Sequence, residues 1–94
     1  MLDRKLVKLV EIYDSNYNRD VKSIREVYIN PNFIASMTPD YSMLTLLHEG
    51  KLPEGLDQNQ QFTRIVLSDG RTQHVVLGEI NIVQSKLSPT LLKG

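Results

Sequence analysis

Residues 62–76 read FTRIVLSDGRTQHVV, two apolar-rich runs around Asp69-Gly70, and this stretch decides the fold class. Such runs flanking Asp-Gly are a β-hairpin signal, because both residues tolerate the backbone angles of a tight turn. A two-residue loop would pair Ser68 with Arg71 and mix polar with apolar residues on both faces. A three-residue loop, Ser68-Asp69-Gly70 with Gly70 left-handed, pairs odd positions with odd ones. It gathers Ile65, Leu67, Val75 and Leu77 on one face, and Arg64, Val66, Ser68, Thr72, His74 and Val76 on the other. A slip of one residue would exchange the faces. The reading therefore favours the three-residue loop, with the first face in a core, the second in water and His74 opposite Arg64.

Working outward, the β-formers Val7, Val10, Ile12 and Tyr13 predict a strand over about 6–13, although Leu2, Leu6, Leu9, Val10 and Tyr13 also fall at helical spacing. DSNYNRD, residues 14–20, is a polar turn cluster, since Asp, Asn and Ser side chains satisfy nearby backbone in turns. REVYINP then alternates, with Val27 and Ile29 against Glu26 and Tyr28. Pro31 ends that strand by removing a donor and restricting Asn30. NFIASM restarts an extended run that stops near Pro39.

PDYSMLTLLHEG predicts a brief helix, with Asp40 as N-cap, Met43, Leu44 and Leu47 on one side and Gly50 closing it. KLPEGLDQNQQ, residues 51–61, is a mobile surface excursion. After Gly78, Ile80, Val83 and Leu87 make the stripe of a second helix, and SPTLLKG, residues 88–94, is a frayed tail. The class expected is α+β, mostly β. It is a small twisted antiparallel sheet or open barrel of about five strands, with a short middle helix and a C-terminal helix, in a single domain over residues 1–94.

Composition narrows the function. The chain has 11 basic and 11 acidic residues and no cysteine, which disfavours non-specific grip on a phosphate backbone and removes disulfide and thiolate chemistry. The opening MLDRKLVKLVEIY has an early acidic residue and no apolar core or cleavage site of a signal peptide. No stretch reaches the roughly 18 apolar residues of a membrane span. A cytoplasmic protein is expected.

Catalysis finds few materials. His48 sits near a helix end and His74 in the hairpin, and the carboxylates form no calcium-loop pattern. HEGKL lacks the second histidine of a zinc-protease helix, and no Gly-rich phosphate loop occurs. The expectation is no enzyme, no metal and no cofactor.

Two surfaces remain. Arg64, His74, Arg71, Tyr28 and Arg25 are candidates for a partner or nucleic-acid face, since basic and aromatic groups on a sheet can bind single strands. Balanced charge weighs against nucleic acid, and the solvated-face reading of these residues outweighs it. Leu44, Leu47, Leu52 and Leu56 either form an apolar patch for another protein or cover one end of the sheet. An open sheet also leaves edges that can accept a strand, so the partner expected is another protein or a second copy.

The order of LVKLVEI, REVYINPNFIASMTPD, TRIVLSDGRTQHVV and EINIVQSKL resembles the small bacterial FlbD/SwrD-like flagellar and swarming motility proteins. Those carry a short strand, an x-Val-x-Ile-Asn-Pro-x-x-Ile segment, a Thr-x-Ile-x-Leu-x-x-Gly hairpin and a terminal helix. Tyr28 to Pro31 with Ile34, and Thr63, Ile65, Leu67 and Gly70, match them here. The resemblance spans most of the chain outside residues 14–22 and 41–61, and the second gap is an insertion that departs from the family. It implies this fold and a non-enzymatic accessory or regulatory role, with no catalytic residues. The function expected is a small regulatory or protein-interaction module of a bacterium or phage, the alternative a sheet-based nucleic-acid binder.

Overall fold

The computed structural model describes residues 6–14 and 22–87. Strand β1 runs Val7–Asp14 and β2 runs Lys22–Ile29. They pair antiparallel from Val7 opposite Ile29 to Asp14 opposite Lys22. Leu9 and Ile12, an odd and an even position, are both buried. That is possible because a strand sends alternate side chains to opposite faces, so apolar residues that also fit helical spacing can fill two cores. The polar cluster at 15–20 and the tail at 88–94 lie outside the described residues.

Asn30 accepts a hydrogen bond from the Asn32 amide at 2.9 Å, and Pro31–Phe33 makes one 3-10 turn. Strand β3 follows at Ile34–Pro39, helix α1 at Ser42–His48, β4 at Phe62–Leu67, β5 at Gln73–Leu77 and helix α2 at Ile80–Leu87. The five strands form one sheet in the order β2-β1-β5-β4-β3, with every neighbouring pair antiparallel. The class is α+β, mostly β.

The sheet curls strongly. Its edge strands β2 and β3 are joined by only Asn30 to Phe33, whereas a flat sheet of this width would hold its edges about 19 Å apart. A 3-10 turn advances only about 2 Å per residue, so the link cannot span a flat sheet. Accordingly one cluster joins residues from all five strands: Leu9, Ile29, Ile65 and Val76, with Ile34 and Met37 packed against them. Val83 and Leu87 of α2 complete this inner core. The arrangement is one open, curled sheet with β2 and β3 at its two edges.

The outer face is also covered. Ile12, Phe62 and Val75 pack beneath Leu47 of α1 and Leu52 of the excursion, with Met43, Leu44 and Leu56 against them. The four leucines are therefore part of a second core, the covering role, and Leu47 and Leu52 are buried. The excursion is anchored at Leu52 and at the Lys51 carbonyl, which accepts the Lys22 amide at 2.9 Å.

Two covered faces correct the hairpin reading. Phe62 opposes Leu77, Thr63 opposes Val76, Arg64 opposes Val75 and Ile65 opposes His74, so odd positions meet even ones. The loop is four residues, Ser68 to Arg71: the Leu67 amide donates to the Thr72 carbonyl and the Gly70 amide to the Leu67 carbonyl. Asp69 locks it, accepting from both the Arg71 and Thr72 amides and from the Thr72 hydroxyl. A three-residue loop suits a hairpin with one wet face. With cores on both sides, mixing apolar residues onto each face is what the fold requires. Ile65 and Leu67 face the inner core, Val75 and Leu77 the outer one, and Val76, expected in water, is fully buried.

Candidate functional site

A cleft of about 460 Å³ opens where the end of β2 and the turn after it meet the β4–β5 hairpin. Ile29 and Leu67 form its apolar floor, Leu6, Tyr28 and Phe33 its rim, and Asn30 and His74 its polar side. Local sequence builds it. Alternation along β2 turns Ile29 inward and leaves Tyr28 exposed; the 3-10 turn after Pro31 throws Phe33 outward. The Phe33 carbonyl is held by the Ser68 amide at 2.7 Å, which ties this rim to the hairpin.

His74 lies inside the curl rather than on the surface. Its Nδ1 is 2.6 Å from Glu11 Oε2, and Glu11 Oε1 accepts the Arg25 Nε at 3.0 Å. The Arg25 guanidinium stands 4.2 Å from the centre of the Tyr13 ring, a cation–π contact. Glu11 is buried, with 6% of its side chain exposed. A buried carboxylate needs partners to offset its desolvation, and here it has one on each oxygen. Among the described residues His74 Nε2 has no hydrogen-bond partner, yet no unpartnered polar side-chain atom is fully buried.

A second polar cluster sits on the outer face. Asp40 accepts from the Ser42 hydroxyl and the Met43 amide, and Arg64 donates to it at 2.6 Å while also holding Gln73 at 2.7 Å. Burial by itself would raise the Asp40 pKa. The hydrogen bonds from Ser42 and Met43 and the Arg64 charge outweigh it, and hold the carboxyl below its ordinary value. The N-cap of α1 is Tyr41, which makes no side-chain capping bond, rather than the expected Asp40. Asp40 stands one residue earlier, yet still accepts the Met43 amide of the first turn and is reinforced by an arginine from β4. In the loop, the bonds from Thr72 and Arg71 lower the Asp69 pKa to about 2.

The five polar candidates thus do not form one surface. Arg25 and His74 converge on Glu11, Arg64 serves Asp40 on the opposite face, Arg71 is exposed in the loop, and only Tyr28 and His74 line the cleft. His74 does not oppose Arg64, because the register differs by one residue. Sequence reasoning missed Glu11, Leu6, Phe33 and Asn30. Glu11 did leave a signal: it shares a strand face with Val7, Leu9 and Tyr13, and a charge on an apolar face implies buried partners.

Among the described residues no group of three or more His, Cys, Asp or Glu could hold a metal ion, and no helix is long and apolar enough to cross a membrane. No protein-family model, curated protein or solved structure matches the chain.

Proposed function

We propose that the chain is a non-catalytic regulatory or protein-interaction module that engages another protein at the cleft. One observation carries this reading. Of the six large apolar side chains exposed among the described residues, Leu6, Tyr28 and Phe33 converge on this cleft. Grouped exposed apolar side chains mark binding sites far more often than scattered ones do. The leucines of α1 and the excursion do not compete for this role, since they belong to the outer core. The cysteine-free composition suits a cytoplasmic setting.

The test is affinity capture from bacterial lysate with tagged protein, with and without nuclease, set beside the Phe33→Ala variant. Phe33 is exposed, so the variant should melt as the unaltered protein does. A discrete protein that survives nuclease and is lost with Phe33→Ala is the expected result. Capture that disappears with nuclease would transfer the reading to nucleic acid, and capture indifferent to Phe33 would remove the cleft from it.

A further inference from the structure

Gly70 is the only glycine in the chain that follows an aspartate or an asparagine, and an Asp-Gly pair can rearrange its own backbone. With no side chain on the glycine to obstruct it, the glycine amide nitrogen attacks the aspartate Cγ. A five-membered succinimide forms and one carboxyl oxygen leaves as water. Water then opens the ring at either carbonyl. Opening at the aspartate's backbone carbonyl leaves an isoaspartyl link, which runs the chain through the side chain with no net change in mass. Two conditions govern the first step. The amide nitrogen must give up its proton, and the departing oxygen must be protonated, so an ionised carboxylate reacts poorly.

The hairpin loop opposes both. The Gly70 amide donates to the Leu67 carbonyl at 3.0 Å, which commits its nitrogen. Asp69 Oδ1 accepts the Arg71 and Thr72 amides, each at 2.8 Å, and Oδ2 accepts the Thr72 hydroxyl at 2.6 Å. Both oxygens are thereby occupied as carboxylate acceptors, although the residue is exposed. We propose that Asp69 is a latent isomerisation site, held closed in the folded protein by the Thr72 hydroxyl and the loop amides and reactive once the loop opens. The low pKa of the carboxyl, about 2, acts in the same sense, because it keeps the protonated form scarce at neutral pH. The consequence reaches the cleft. An isoaspartyl link adds a carbon to the backbone between Leu67 and Thr72, whose amide and carbonyl close the loop at 2.9 Å, and beside Ser68, whose amide holds the Phe33 carbonyl of the rim.

Thr72 is exposed, so Thr72→Val, which keeps the shape and loses the hydroxyl, should fold. The intact protein, Thr72→Val, Thr72→Ser and the unaltered chain unfolded in guanidinium chloride are incubated side by side at neutral pH. Isoaspartate is then counted in the tryptic peptide spanning residues 65–71, separated by chromatography against synthetic standards because its mass is that of the aspartyl form. The expected result is formation about three- to tenfold faster in Thr72→Val than in the intact protein, the value of one hydrogen bond. Thr72→Ser, which keeps the hydroxyl, should react at the unaltered rate. The unfolded chain, where every one of these bonds is gone, should exceed the intact protein by more than about tenfold. Equal rates in the intact and unfolded chains would overturn the proposal. Thr72→Val no faster than the intact protein, or Thr72→Ser as fast as Thr72→Val, would do the same, since the protection would then not lie in the hydroxyl.

Discussion

Asp40 shows how a single buried charge is made tolerable. Only 2% of its side chain is exposed, yet it is stabilised as a carboxylate by a hydroxyl, an amide and a guanidinium. Its folded pKa lies below the ordinary value of 3.8, which fixes the sign of its effect. The stability it contributes is fully present above that ordinary value and is lost as pH falls through the lower folded one. Asp69, with a pKa of about 2, acts in the same acid window. The urea midpoint should therefore fall between about pH 4 and pH 2. Asp40→Asn should be less stable at neutral pH by about 1–3 kcal/mol and show a shallower acid limb. If the two profiles run parallel, the carboxylate is not what the site stabilises. That Asp40 serves the start of α1 was legible in the sequence, because the signal is local, although the N-cap falls one residue later, at Tyr41. Its bond to Arg64 was not, since the two are 24 residues apart.

Elements were the most legible scale. All five strands and both helices lie near their expected positions, because alternation, Pro31 and the glycines act over a few residues. Two glycines now separate by role. Gly70 has φ +77° and open space where a Cβ would stand, so Gly70→Ala should cost only the left-handed conformation, about 1–2 kcal/mol. Gly78 has φ +128°, and a Cβ there would lie 2.9 Å from Val83 Cγ2. Its amide also donates to the Gln61 carbonyl and its carbonyl accepts the Thr63 hydroxyl. Gly78→Ala should therefore cost at least about twice as much, adding overpacking to backbone strain, and should loosen α2 from the inner core. Thermal melts of the two variants decide this, and equal losses would mean that α2 yields freely.

At the scale of the whole molecule the decisive feature is a sheet with a core on each side. Neighbours in sequence then serve different cores: Val75 the outer, Val76 the inner. Both are buried, Val76 completely. Val75→Ala and Val76→Ala should each lower stability by about 2 kcal/mol, from lost methyl burial and residual cavity. A hairpin with one wet face would spare Val76, leaving its variant within about 0.5 kcal/mol of the unaltered protein, as is usual for surface positions. Urea unfolding of the pair separates the alternatives.

By itself the sequence determined a small, mostly β domain, its strands and helices, and the caps and turns that punctuate them, since each depends on contacts a few residues apart. The tertiary structure decided the register of the hairpin, because register follows from how many faces are buried, and that depends on α1, α2 and the excursion closing over the sheet. It also decided the cleft. Leu6, Phe33, Leu67 and His74 share a site only because the short link after β2 forces the sheet to curl, a consequence of chain length against sheet width that no local pattern encodes.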